Sequence, residues 1–148
     1  MTKIKEYLIR NYFKSTYPIE YRIYMIFFIQ SFIISIVNAI EDALLGRAIL
    51  GITSQWLYNI INIVFLLISP QLRLKLIKPH LLLLAFGYVP FSFFQTGGYD
   101  GTILILAQMV IFLLAVVFTG KTRAILVILN ILQYIACILI QYHYPALV

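Results

Sequence analysis

HLLLLAFGYVPFSFFQ, running from His80 to Gln95, is the stretch on which the fold turns. It is apolar enough for a membrane but short, and Pro90 interrupts it. A spanning helix needs about 20 mainly apolar residues, because the hydrocarbon core is roughly 30 Å thick and a helix rises about 1.5 Å per residue. Four other runs meet that length without difficulty: about 21–40, 50–69, 102–119 and 124–142. If His80 to Gln95 also crosses, the chain is an all-α integral membrane bundle of five transmembrane helices. If it only dips into the membrane, the number of crossings becomes even and both ends lie on one side.

The basic residues decide between these arrangements, since Lys and Arg beside a span are retained in the cytoplasm. With five crossings the cytoplasmic set is Lys3, Lys5, Arg10, Lys14 and Arg22, then Arg73, Lys75 and Lys78, then Lys121 and Arg123. Only Arg47 of the eleven basic residues is left outside. A re-entrant third segment would move Lys121 and Arg123 outward and weaken the asymmetry. The reading is therefore five spans, at about 21–40, 50–69, 80–95, 102–119 and 124–142, with the amino terminus in the cytoplasm and the carboxyl terminus outside. Glu41, Asp42 and Asp100 fall in the outer loops, which agrees without adding weight.

Composition points the same way: 63% of the 148 residues are hydrophobic and 11% charged, against roughly a quarter charged in a soluble domain. Mean hydropathy is +0.98. The chain reads as a single transmembrane domain, 1–148, with no soluble domain, linker or internal repeat. The net charge of +6 is spread in short clusters along one membrane face, which excludes a nucleic-acid footprint and makes anionic lipid headgroups the expected partner. Lys3, Lys5, Arg10, Lys14, Arg73, Lys75, Lys78, Lys121 and Arg123 are the expected headgroup contacts, and His80 is placed with them at the cytoplasmic end of its span. Within the first 20 residues, Lys3, Glu6, Arg10 and Lys14 share one helical side and Ile4, Leu8 and Tyr12 another, the pattern of a short interfacial amphipathic helix. The first apolar run is of full spanning length with no small-residue cleavage pattern after it, so it is expected to stay attached.

No catalytic constellation emerges, and an enzyme is not expected. His80 and His143 fall on opposite membrane faces in this topology, so with Cys137 they cannot converge on a metal, and no metal or cofactor is expected. A single cysteine forms no internal disulfide. The segment Gln95-Thr96-Gly97-Gly98-Tyr99-Asp100-Gly101 has glycines but no Lys leading into a helix, unlike a phosphate-binding loop. Gly97, Gly98 and Gly101 read as a tight turn. Gln95, Tyr99, Asp100 and His143 are the candidate polar floor of an outward-facing ligand pocket. Amides occur along the spans (Gln30, Asn38, Asn59, Asn62, Gln108, Asn130 and Gln133) and are expected to point into the bundle. Every Asp, Glu, Lys and Arg lies at a span end or in a loop, which disfavours a pump or ion-coupled carrier.

Three stretches in order carry a resemblance. They are Asn59 to Ser69 followed by a basic loop; Pro90 to Gly101, an aromatic helix end with a Gly-Gly turn; and Gly120-Lys121-Thr122-Arg123 leading to Tyr142-His143-Tyr144-Pro145-Ala146-Leu147-Val148. Together they resemble the multi-span amino-terminal input domain of bacterial signalling receptors, found ahead of histidine kinase or diguanylate cyclase modules. Ala146 stands where those receptors usually carry an acid. The resemblance implies a sensory, non-catalytic module of the bacterial inner membrane. It implies one further helix beyond the outer turn, leading to a fused cytoplasmic signalling module, or a homodimer. A free-standing relative, a small oligomeric carrier or channel subunit, and an assembly subunit of a membrane complex are the alternatives.

Overall fold

The computed structural model describes residues 6, 7, 9, 11–44, 49–95 and 103–144, with backbone alone at 41, 42, 49–52 and 54. Among these residues the chain is helical throughout, with no strand. Five long elements follow one another: α1 Ile19–Leu44, α2 Ile49–Leu67, α3 Pro70–Gln95, α4 Ile103–Val117 and α5 Gly120–His143. Residues 6, 7, 9, 11 and 12, ahead of α1, are also helical. Three helices, Ile19–Ile40 within α1, α3 and α5, are long and apolar enough to cross a membrane. Gln55–Leu67 of α2 and the whole of α4 are shorter apolar helices. The outer surface matches: Ile33 and Val37 of α1, Leu57 and Val64 of α2, and Ile128 and Leu132 of α5 all point away from the bundle. These helices mark a membrane protein.

The third helix differs most from the sequence reading. It begins at Pro70, ten residues before the expected start of the span, and runs for 26 residues, about 39 Å at 1.5 Å per residue. The basic stretch taken for a loop is its first turns. Ser69 makes this start: its backbone is extended, and its hydroxyl accepts from the Leu72 N–H at 3.4 Å. Pro70 fills the first turn, where a missing N–H costs nothing and a fixed φ helps. Pro79 is accommodated inside the helix.

Near Pro90 the helix widens. Leu84–Tyr88 forms a π-helical turn in which the Val89 N–H donates to Leu84 O. In that register the next carbonyl, Ala85 O, would look to residue 90, and proline has no N–H to give. Asn130 Nδ2 and Gln133 Nε2 of α5 donate to it instead, at 3.2 and 3.3 Å. The two amides sit one turn apart on α5 and bind α3 and α5 together where apolar contacts alone would not fix register.

The α4–α5 connection has only Phe118 and Thr119 outside helix, and the chain reverses through Gly120 at φ +60, a conformation that glycine adopts without steric cost. The core lies along α4, where Val110, Leu113 and Leu114 are fully buried against α1, α3 and α5.

Candidate functional site

Two polar regions lie inside the bundle. The first is at the end where α1, α3 and α5 begin. Arg73, in the first turn of α3, is 2% exposed. Its Nη2 donates to Leu66 O at 3.1 Å and Ile68 O at 2.9 Å, its Nη1 to the Tyr21 hydroxyl at 3.3 Å, and the guanidinium lies 4.3 Å from the Tyr12 ring centroid. The Tyr12 hydroxyl also donates to Leu66 O at 3.2 Å. Sequence explains this convergence: the i+4 partner of Leu66 O is Pro70, which has no N–H. Arg73 and Tyr12 replace the lost donor, and so tie the amino-terminal segment, α1, the end of α2 and α3 at one point. Arg73 thus departs from its expected headgroup contact. The other described members of that set, Lys14, Lys75, Lys78, Lys121 and Arg123, are exposed, and Lys78 Nζ lies 5.7 Å from the Phe118 ring centroid. Lys3, Lys5 and Arg10 lie outside the described residues.

His80, placed at the headgroups by the sequence reading, is also buried. Because α3 starts at Pro70, His80 is its eleventh residue and not its first. The ring stacks on Phe65 at 4.3 Å between centroids, meets Phe28 edge-on at 5.3 Å, and its Nδ1 pairs with the Tyr24 hydroxyl. This aromatic box joins α1, α2 and α3 above the Arg73 clasp.

The second region is a cavity of about 310 Å³ in the other half of the bundle. Helix α1 contributes Gln30, Ser31, Ile34, Ser35 and Asn38; α2 contributes Gln55 and Tyr58; α3, Tyr88 and Ser92; and α4, residues including Ile105, Leu106 and Met109. Ser31, Ser35 and Asn38 follow at i, i+4 and i+7, so one face of α1 presents them together. The floor is the Ser31 hydroxyl, which donates to Phe27 O at 2.8 Å and approaches Met109 Sδ at 3.5 Å, with Phe27 packed on Phe112 beneath. The Tyr58 and Tyr88 rings stack at 3.7 Å, interplanar 10°, and form a flat wall between α2 and α3.

Ser35 and Gln55 line this space, are each 8% exposed, and carry Oγ and Oε1 atoms with no hydrogen-bond partner among the described residues. Buried polar atoms left unpaired cost about 1–3 kcal/mol each. Both residues line one cavity whose walls mix hydroxyl, amide and apolar groups, an arrangement suited to a small molecule with polar and apolar parts. Asn59, one turn from Gln55, is 1% exposed with both amide atoms likewise unpaired, so α2 carries Gln55, Asn59 and Asn62 as a buried stripe at i, i+4 and i+7.

Of the residues named from sequence as a pocket floor, the two that are described do not line this cavity. Gln95 is half-buried at the end of α3 and His143 exposed at the end of α5, and neither lines it. Tyr99, Asp100, Gly97, Gly98 and Gly101 lie outside the described residues. Among the intramembrane amides, Asn59, Asn62 and Asn130 point inward, whereas Gln30 and Gln108 face out, Gln30 at the cavity's edge. Among the described residues no group of His, Cys, Asp and Glu gathers for a metal ion. No family model matches the chain, and neither a curated protein nor a solved structure matches it.

Proposed function

We propose that the chain is a membrane-embedded sensory module that crosses the bacterial inner membrane five times, with its amino terminus in the cytoplasm and its carboxyl terminus outside. A small ligand occupies the cavity and alters helix packing, and a homodimeric partner or a fused cytoplasmic module reads the change. The observation that carries this reading is the cavity itself, bounded by four helices and lined by the polar residues Ser31, Ser35, Asn38 and Gln55. Its walls extend into the elements that organise the opposite end. Tyr88 closes the π-turn, Tyr58 stands two helical turns before Phe65 of the aromatic box, and α3 continues to Arg73. π-Turns recur at functional sites, and a ligand shifts an equilibrium only by binding two packings unequally. Headgroup contacts from Lys75, Lys78, Lys121 and Arg123 would hold the cytoplasmic ends in place while the helices move. No catalytic step belongs to this role.

Filling the cavity with a side chain tests the sensory role without knowing the ligand. Spin labels at Ile19→Cys and Ile125→Cys, both exposed near the basic end, are placed in a Cys137→Ser background. Their separation is compared with and without Ser35→Phe, and independently Leu106→Phe. The distance distribution is expected to move in the same direction with either filler. Unchanged distances in folded, monodisperse protein would end the sensory reading. A reporter active only outside the cytoplasm, fused after Val148, tests the orientation.

The buried amide stripe of α2 favours one second reading, a small oligomeric carrier whose solute passes Asn59 and Asn62. That role requires flux through reconstituted vesicles that is lost in Asn59→Leu, and vesicles without such flux exclude it.

A further inference from the structure

The cavity's walls and rim are of different chemistry, and the rim indicates where its occupant comes from. Inside, the walls join apolar surface (Leu106, Met109 and the Tyr58–Tyr88 stack) to hydroxyl and amide groups; among the described residues no charged side chain reaches them. At the rim, Ile34 of α1 is 52% exposed and Ile105 of α4 is 72% exposed. Both are on the outer, apolar surface of the bundle. Gln30 stands beside them on that surface and has no hydrogen bond to any described residue. Nearer the basic end α1 and α4 are closed by Phe27 on Phe112 and by Ser31 against Met109, so the gap lies between the rim residues and opens sideways.

From this geometry we infer that the occupant is a lipid-soluble, uncharged amphiphile that reaches the cavity laterally, between α1 and α4, from the hydrocarbon phase. It rests on the reading of the cavity as the ligand site. A hydroxyl- or amide-bearing head lies among the polar side chains of Ser31, Ser35, Asn38 and Gln55 that line the space, while its apolar body lies against the tyrosine stack and Leu106 and leaves past Ile34 and Ile105. A charged head finds no counter-charge on these walls and keeps the cost of desolvation. A water-soluble polar solute gains nothing from an apolar rim. The volume is at the lower end of ligand sites, about 300–1,000 Å³, so part of a long tail would remain in the bilayer.

The test uses the full chain in phosphatidylcholine vesicles and a long-chain primary alcohol bearing a photoreactive diazirine. The matching carboxylic acid probe and excess glycerol serve as comparisons. Saturable labelling of α1 and α4 near Ile34 and Ile105 is expected with the alcohol, displaced by unlabelled alcohol and not by glycerol. Labelling by the acid should be weaker. Ser35→Ala with Gln55→Leu, which removes a hydroxyl and an amide from the cavity wall, should lower the labelling about five-fold, the loss of roughly one hydrogen bond. Ile105→Trp should reduce it by blocking the gap while leaving both polar residues intact. Labelling spread evenly over the exposed faces of all helices, or indifferent to both variants, overturns the inference. Displacement by glycerol overturns it too. If cavity fillers still move the spin labels in that case, the sensory reading survives alone; saturable alcohol labelling with immobile spin labels leaves this inference standing and removes the sensory one.

Discussion

The two halves of the bundle handle buried polarity differently, although Arg22 Nε and Arg73 Nε at the basic end also lack partners among the described residues. Near the basic end, Arg73 and Tyr12 complete the carbonyls that Pro70 and the end of α2 leave open, and Tyr24 pairs with His80 inside an aromatic box. In the other half, Ser35 and Gln55 line an open cavity and carry Oγ and Oε1 atoms with no partner among the described residues. Helix association in a bilayer gains little from hydrophobic burial and depends on packing and interhelical hydrogen bonds. The first half therefore supplies the bundle's rigidity, and in the proposed role the second gives up stability for a binding space. Substitutions in the two halves should consequently change stability with opposite signs.

Arg73→Ala tests the rigid half and should have the largest effect. It removes two charge-assisted hydrogen bonds to Leu66 O and Ile68 O, the contact with Tyr21 and the stacking on Tyr12. Charged hydrogen bonds contribute about 1.5–3 kcal/mol each and a cation–π contact about 1. Because Tyr12 still serves Leu66 O, the expected loss is about 3 kcal/mol, measured by denaturant titration in mixed micelles. Arg73→Lys should recover only part of this, since one ammonium cannot reproduce the fork that reaches both carbonyls and Tyr21. Full recovery with Lys would show that charge alone matters there.

Asn130→Leu combined with Gln133→Leu probes the seam between the halves. Both amides serve Ala85 O, the carbonyl for which Pro90 has no N–H in the π register. Removing both should cost about 1–2 kcal/mol; removing one should cost less, because the other remains. In a Pro90→Ala background the double substitution should cost less still, since residue 90 regains a backbone N–H. Such non-additivity is the mark of a shared partner. Additive losses would mean that the amides act through packing and not through that carbonyl.

Much of the scaffold was legible in the sequence, and the errors have identifiable sources. The apolar runs fall on the five long helices. Ser69-Pro70 was a readable helix start, but the cluster Arg73, Lys75 and Lys78 was taken as a loop because charge is the stronger signal in topology reading. Helical phase held the correction: Arg73, Ile77, His80, Leu81 and Leu84 are all buried on α3 and recur at i, i+4, i+7, i+8 and i+11, while Lys75 and Lys78 fall on the other side. The cavity was less accessible. Ser31, Ser35 and Asn38 on α1, and Gln55, Asn59 and Asn62 on α2, are visible as stripes, but a stripe alone does not distinguish a hydrogen-bonded seam from an empty space. That difference depends on how far four helices stand apart. The polar residues near the Gly-Gly turn attract a site reading because they are the least lipid-like, and most of them lie outside the described residues; the residues lining the cavity are scattered along otherwise apolar helices.

The smallest expected effect is also the one that reverses sign. Ser35→Ala and Gln55→Leu each remove a buried oxygen that has no hydrogen-bond partner among the described residues, so the folded state loses the desolvation penalty of that atom. Each should leave stability unchanged or raise it by up to about 1 kcal/mol in ligand-free vesicles, the gain that active-site substitutions show when function is maintained against stability. Ser35→Ala should gain less, since a serine hydroxyl can turn to its own helix carbonyls as Ser31 does with Phe27 O. The Gln55 amide cannot be relieved in that way, so Gln55→Leu should gain more. If both variants instead destabilised the chain as Arg73→Ala does, Ser35 and Gln55 would be structural members of a packed seam, and the two halves would not differ in kind.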